Sequence, residues 1–477
     1  MSFQARHLVP APRTQVWQWH TRPGAVTRLT PPFLPMVPLQ QTDSLATGTT
    51  ILGFPGGLRW TAQHQLGGYE EFRRFTDVCI NAPVRQFAHW RHEHRFEDSP
   101  VRDTAVNSGG PTTIVTDTVD SRFPGSALTP MFAYRQHQLR QDFLFLQRLA
   151  DAVPGYATQD VSGDLTSRDV TTPTRPLTVA MTGSRGAVGR ALTAQLTTAG
   201  HKVVQLVRGN AKPHQRSWEP LNPHPDLLRD VDVVVHLAGE PIFGRFNDNH
   251  KNAIRESRVE PTRKLAELVA NTPGVQALVS ASAIGYYGNE RGDEKLTEGS
   301  EPGDGFLAQV TQDWESATAP AAESGTRVVL IRTGVALDGG HGLLPLLRTL
   351  FSTGLGGRFG DGQFWFSWIS ADDLTDIYFR AIVDAAVSGP INATSPHPLF
   401  NEDFAQALGR ELKRPTLIPI PTVGPALLLG KEGARELALA EQRVIPSALD
   451  SLGHAFRYPS VDAALAHELG GEPLTDA

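Results

Sequence analysis

The sequence predicts an α/β protein, a parallel sheet wound on both faces by helices, preceded by a separate α+β region. Three observations carry this. Leu177 to Met181 is a short, mostly apolar run of buried-strand length; Gly183, Gly186 and Gly189 follow it, and Ala187 to Ala199 then reads as a helix ending at Gly200. From there, apolar strand-like runs alternate with helical ones. Residues 1 to about 150 hold strand-like segments without that rhythm.

A chain of 477 residues is too long for one core and points to two or three domains. Its 40% hydrophobic and 20% charged content is that of a globular protein. A net charge of −6 with no basic block argues against a nucleic-acid partner. The single cysteine, Cys79, excludes an intrachain disulfide and any cysteine-based zinc cluster. No secretory signal opens the sequence and no apolar run is long enough to cross a bilayer, so a cytoplasmic location is expected.

In chain order, the strand-like segments of the first region are Gly48 to Phe54, Arg59 to His64, Glu71 to Ile80, Trp90 to Phe96 and Thr112 to Val119. Turn signals separate them, including Phe54-Pro55-Gly56-Gly57 and Asn107-Ser108-Gly109-Gly110-Pro111. A helix from Met131 to Ala150 closes the region, with Phe132, Leu139, Phe143, Leu146 and Leu149 available for one face. The segments around Arg22-Pro23-Gly24 and Pro31-Pro32 read as loop. An antiparallel sheet wrapped on a long C-terminal helix fits this order. In order of elements it resembles the helix-grip fold of the START and polyketide-cyclase superfamily, and that resemblance implies a cavity for an apolar ligand.

His89, His92 and His94 lie close together in this region. On a strand, His92 and His94 share a face with Trp90 and Phe96 while His89 points away. No carboxylate at ligand spacing completes a set on that face, so a structural or ligand-contact role is expected and no metal site.

Residues 151–176 are rich in Gly, Pro, Ser, Thr and Asp and read as a linker. Beyond it, strands are expected at His201 to Val207, Val231 to Leu237, Ala277 to Ser282 and Arg327 to Arg332, and helices at Ala253 to Ala270 and Phe306 to Ser324. Continuous apolar strands between helices mean a parallel sheet of the Rossmann type, with its site at the strand carboxyl ends. The glycine turn suits a dinucleotide. The chain must turn tightly, approach a pyrophosphate closely and offer it a helix N-terminus. Arg208 follows the second strand, where an Asp or Glu would favour NAD, and Arg185 stands in the turn itself. Two positive charges near a 2′-phosphate favour NADP.

The turn Thr182-Gly183-Ser184-Arg185-Gly186-Ala187-Val188-Gly189, the strand end Leu237-Ala238-Gly239 and the strand end Ser280-Ala281-Ser282…Tyr286-Tyr287-Gly288 resemble an extended short-chain dehydrogenase/reductase. More closely, they resemble its epimerase-like branch of SulA-type oxidoreductases. Further matches are Ser257-Arg258-Val259, Trp314-Glu315, Arg332-Thr333-Gly334, Asp372-Asp373-Leu374, Gly389-Pro390-Ile391-Asn392 and Gln442-Arg443-Val444. The resemblance covers roughly residues 177 to 470, and fusion to a helix-grip domain fits one bacterial subset of that branch. It implies cofactor contacts by Thr182 to Gly189, Arg208, Leu237, Ala238, Gly239, Ser280 and Ala281. It also implies hydride transfer on a small-molecule substrate such as a sugar nucleotide, and a small substrate-side region over 401–477.

One departure stands out. The superfamily's Tyr-x-x-x-Lys pair is missing: the helix that should carry it reads Phe306-Leu307-Ala308-Gln309-Val310, and shifting to Leu307 and Thr311 restores nothing. Proton transfer, if it occurs, falls to the strand end, with Tyr287 the first candidate, Tyr286 the second and Ser282 behind them. The rival reading is a catalytically silent NADP-dependent sensor or scaffold. The loop Gly354 to Gln363 is glycine-rich enough for a flexible lid or a plain hairpin, and Trp365, Phe366 and Trp368 suit either ligand stacking or core. The expected divisions are 1–150 (helix-grip), 151–176 (linker), 177–400 (NADP-binding) and 401–477.

Overall fold

A computed structural model describes residues 2–101, 110–158 and 169–476. Residues 107 to 109 of the expected turn, and 159–168 of the expected linker, lie outside the described residues. The chain divides into two units. One comprises residues 1–176 with 193–201 and 466–477, the other residues 177–192 with 202–465.

In the first unit, seven strands form one antiparallel sheet: β1 (Ser2–Val9), β2 (Val37–Gln40), β3 (Thr49–Gly53), β4 (Arg59–His64), β5 (Arg74–Cys79), β6 (Arg91–Asp98) and β7 (Thr113–Asp120). Their spatial order is β1-β7-β6-β5-β4-β3-β2. The helix Gly125–Ala152 buries all five residues expected on its inner face, Phe132, Leu139, Phe143, Leu146 and Leu149. Phe132 and Leu128 pack on Ala5 and Val119 of the sheet. β1 and the helix Arg13–Thr21 were not expected from the sequence. Along β1 the inward positions are Ala5, His7 and Val9, so a histidine in the core interrupts the alternation that would have revealed the strand. Around the expected linker, β8 (Ala157–Thr158) pairs antiparallel with β9 (Asp169–Pro173), so its described ends are not featureless loop.

In the second unit the apolar runs become β10 (Thr178–Thr182), β11 (Lys202–Val207), β12 (Gln215–Ser217), β13 (Val233–His236) and β14 (Ala277–Ala283). After β15 (Glu290–Leu296) come β16 (Arg327–Thr333) and a final strand, Gly389–Ala393. Apart from β15, these form one sheet in the order β12-β11-β10-β13-β14-β16-(389–393), all pairs parallel. This is a Rossmann-like fold, with its switch point between β10 and β13. Ala180, Leu206, Val234 and Leu278 on one face of the sheet share a core with Leu265, Ala266 and Val269.

Two expected helices are each divided. Ala253 to Ala270 becomes Asp248–Glu256 and Val259–Ala270, and Phe306 to Ser324 becomes Phe306–Ser316 and Ala319–Glu323. Pro261 and Pro320 fall in the first turn of the second piece each time, where a missing N–H costs nothing. Ala434–Ala438 forms a single π turn, followed by the strand Glu441–Val444, which pairs with β15. The glycine-rich loop is held in place: Gly360 N–H donates to Ile420 O at 3.0 Å, and Phe359 N–H to Asn401 Oδ1 at 2.8 Å. Among the described residues, no helix is long and apolar enough to cross a membrane.

Candidate functional site

At the carboxyl ends of β10, β11 and β13 lies a cleft of about 920 Å³. Gly183, Ser184, Arg185, Gly186, Arg208, Leu237, Ala238 and Gly239 line it, as the sequence leads one to expect. The turn requires its glycines for different reasons. Gly183 has φ +66°, and a Cβ there would lie 2.7 Å from the Leu237 backbone. A Cβ on Gly189 would lie 2.4 Å from Gly183 O, so its absence lets the helix close on the turn.

The other expected cofactor residues do not line the cleft. Thr182 is fully buried beneath it, where its Oγ1 accepts the Leu237 and Ala238 N–H groups at 3.1 and 3.2 Å and meets His236 Nδ1 at 2.7 Å. The hydroxyl thereby ties β10 to the loop that follows β13. Ala187, Val188 and Gly189 begin the helix behind the turn. Ser280 is buried in β14, where its Oγ donates to Ala281 O. Sequence reading missed Trp218, Leu221 and Ser257 on the cleft wall. Ser257 stands in a matched motif; the other two carry no local signal. The residues present fit a dinucleotide, since the glycine turn leaves backbone accessible and Ser184 Oγ, 3% exposed, has no hydrogen-bond partner among the described residues.

A second cavity, of about 210 Å³, lies at the ends of β14 and β16. Ala283 to Gly285, Thr333 to Val335, Phe364 to Ser367 and Gln442 line it, so Trp365 and Phe366 face the cavity whereas Trp368 is core. The helix lacking the Tyr-Lys pair presents Leu307, Val310 and Thr311. Thr311 Oγ1 donates to Leu307 O at 2.8 Å. Arg258 also lines the cavity, 7% exposed, and a Cβ on Gly239 of the cleft would lie 3.0 Å from its guanidinium carbon. Burial lowers the Arg258 pKa to about 10, with Glu240 opposing the shift. Its Nη1 donates to Ile254 O at 3.2 Å and Ser257 Oγ at 3.3 Å, both uncharged.

Tyr287, Tyr286 and Ser282 are absent from the walls of both cavities. Tyr287 is fully buried; its Oη donates to Asn392 Oδ1 at 2.7 Å and accepts from Arg332 Nη1 at 3.0 Å. Burial pushes the phenol up to about 12 against the pull of Arg332. Ser282 Oγ donates to Glu315 Oε1, and Glu315 accepts Arg332 Nε and Nη2 at 2.9 and 2.8 Å. Tyr286 stacks under Arg332, whose guanidinium carbon is 3.5 Å from the ring centre.

In the first unit a cavity of about 410 Å³ is lined by Leu29, Trp60, Phe75, Trp90, Met131 and Phe132 together with His64, Asp77, His92 and His94. His89 is exposed and lies before β6, at the end of the helix Val84–Ala88, so it shares no strand with His92 and His94. The expectation that no carboxylate joins His92 and His94 needs correction. Asp77 stands opposite His92 and Asp117 opposite His94 on the neighbouring strands, a pairing that spacing along one strand cannot reveal.

The second unit is therefore a Rossmann-type dinucleotide-binding protein with an adjoining substrate-sized cavity. The chain belongs to the NAD-dependent epimerase/dehydratase family. That family's model matches residues 179–393, and a domain of unknown function, DUF1731, matches residues 420–468. The chain is 44% identical to an epimerase family protein of Mycobacterium bovis over 295 residues, 61% of this chain and 96% of that protein. It is 53% identical to a crystal structure described as the nucleoside-diphosphate sugar epimerase from Corynebacterium glutamicum, with a TM-score of 0.84, covering 99% of this chain and 91% of that one. The human epimerase family protein SDR39U1 (isoform 2), solved with NADPH, is 31% identical with a TM-score of 0.57, covering 61% of this chain and 99% of that one.

Proposed function

We propose that the chain binds NADP(H) in preference to NAD(H) and transfers hydride at a carbinol or carbonyl carbon of a small molecule, a nucleoside-diphosphate sugar or a close analogue. One observation carries the cofactor choice. Arg185 and Arg208 both line the cleft, and no acidic residue follows β11 to take the ribose hydroxyls. The NADPH bound by the human relative supports the same choice. Bound in the cleft, the cofactor supplies or accepts the hydride. This chain's residues hold the pyrophosphate at the glycine turn and orient the substrate in the second cavity. Arg258, a buried cation beside that cavity, favours a substrate that carries negative charge, and the name of the Corynebacterium relative supports the sugar-nucleotide class. Ser282 and Tyr287 we assign to positioning the strand end Ala283 to Gly285, and Tyr286, stacked under Arg332 and off the walls of both cavities, to the same network. The first unit is read as a helix-grip domain enclosing an apolar ligand, with the chain divided at 151–176 and near residue 400.

NADPH should bind more tightly than NADH, and Arg208→Ala should narrow the gap by about 1–3 kcal/mol, the scale of a charge-assisted hydrogen bond. Calorimetric titration of both cofactors measures it, and equal affinities in the unmutated chain overturn the preference.

A second reading has a specific observation in its favour: Leu307, Val310 and Thr311 stand where the Tyr-Lys pair would face the substrate. The chain would then be a catalytically silent NADP-dependent sensor. NADPH-dependent turnover of a screened carbonyl substrate supports the enzyme. NADPH binding without turnover of any substrate supports the sensor.

A further inference from the structure

The first unit contains a cluster that the nucleotide chemistry does not use. Directly opposed residues on adjacent antiparallel strands point to the same face. Asp77 on β5 opposes His92 on β6, and His94 on β6 opposes Asp117 on β7. All four therefore gather on one face, each at most 9% exposed.

Their hydrogen bonds divide the ring nitrogens into two sets. Asp117 Oδ1 lies 2.9 Å from His92 Nε2 and 2.8 Å from His94 Nδ1. A carboxylate only accepts, so both nitrogens carry their protons toward Asp117. A neutral imidazole then keeps its lone pair on the opposite nitrogen. Those nitrogens, His92 Nδ1 and His94 Nε2, face Asp77 Oδ2 at 3.6 and 4.0 Å. Two lone pairs and a carboxylate oxygen thus converge with no donor among them. A cation lying between the three atoms would satisfy all of them at once.

The spacing suits a cation. Three ligand atoms, one from each residue, lie within 4.8 Å of one another. Metal–ligand bonds of about 2.1 Å in a tetrahedron place ligands about 3.4 Å apart. Asp117 holds both imidazoles by their second nitrogens, the outer-shell arrangement that orients histidine ligands. Asp77, His92 and His94 also line the 410 Å³ cavity, so coordination positions not filled by protein open onto an otherwise largely apolar pocket. His64, 7% exposed on the same wall, has an Nδ1 with no partner among the described residues.

We propose that Asp77, His92 and His94 bind one divalent transition-metal ion of the zinc, cobalt or iron(II) class, with open positions facing the cavity. Two imidazoles and one carboxylate favour these ions over calcium or magnesium, which prefer oxygen ligands. The site is independent of the nucleotide cleft and of the chemistry proposed there.

The test is titration of the full-length, EDTA-treated chain with Co(II) alone at pH 7.5, followed by d–d absorption and by calorimetry. One equivalent should bind per chain. Asp77→Asn and His92→Gln should each weaken binding at least tenfold, and Asp117→Asn by about 10–100-fold, the range for a lost outer-shell partner. His89→Gln should leave it unchanged, and unaltered NADPH affinity reports that the second unit is intact. Should the variants fold poorly, the unmodified chain still decides. Its Co(II) form should show two exchangeable, hyperfine-shifted imidazole N–H resonances. The absence of those resonances, no stoichiometric uptake, or uptake that survives Asp77→Asn with His92→Gln overturns the proposal.

Discussion

Lowering the pH from 7 to 4 is expected to unfold the unit built on residues 1–176. His7 and His20 are 2% and 7% exposed. Burial lowers each from 6.5 to about 4; nearby Arg135 lowers both further, His137 also acts on His7, and Asp117 partly opposes the shift. For His20, the hydrogen bond to Val16 O also opposes it. A folded-state value depressed below the unfolded one means that the unfolded chain takes up protons first. Stability is therefore complete above about pH 6.5 and is lost as the pH falls through 4. Each histidine contributes about 3 kcal/mol to that loss, and two together rival the 5–15 kcal/mol margin of a typical domain. Hydrogen exchange of the metal-free chain, read on peptides from β1 and the helix Gly125–Ala152, should lose protection cooperatively between pH 6 and 4. Neither ring nitrogen of His7 has a partner among the described residues, so His7→Leu should leave stability at pH 7 intact and move the acid midpoint lower. Protection that stays flat down to pH 4 would contradict the assignment of these histidines as buried and neutral.

Glu315→Ala is expected to cost about 3–5 kcal/mol, the range for breaking a buried ion pair from one side. Glu315 and Arg332 side chains are 10% and 4% exposed, and the guanidinium donates twice to the carboxylate. Burial alone would depress the arginine, but Glu315 more than offsets it and holds the charge in place. Without Glu315, Arg332 keeps Tyr287 Oη and a carbonyl but loses its counter-charge. Tyr287→Phe removes one hydroxyl and leaves Asn392 Oδ1 and Arg332 Nη1 short of a partner, a smaller loss of about 1–3 kcal/mol. Both losses belong to one network, so the double variant should cost less than their sum. Denaturant unfolding monitored on the second unit measures all three. A Glu315→Ala loss under about 1 kcal/mol would mean that the network is not what holds this strand end.

The network explains why the strand-end residues looked catalytic in the sequence. Serines and tyrosines after an apolar strand are what a hydride-transfer site would present, and motif order placed them correctly at the end of β14. Whether a phenol faces a cavity or the core depends on Arg332 and Asn392, on two strands more than 40 residues away. The missing Tyr-Lys pair, by contrast, was legible at once, because a helix position either has an ionisable group or lacks one.

The sequence alone determined the parallel sheet, the glycine turn and the arginines beside it. Those features are local: strand and helix periods differ, and a tight turn against a helix N-terminus accepts few residues but glycine. The long helix of the first unit was equally plain, because five large apolar residues recur on one face. Only the tertiary structure decided that Thr182 lies beneath the cleft, that Trp218 and Leu221 wall it, and that Arg258 stands buried beside the second cavity. It alone brought Asp77 and Asp117 to His92 and His94. The physical reason is register: antiparallel pairing sets residues from different strands side by side on one face, whatever their distance along the chain.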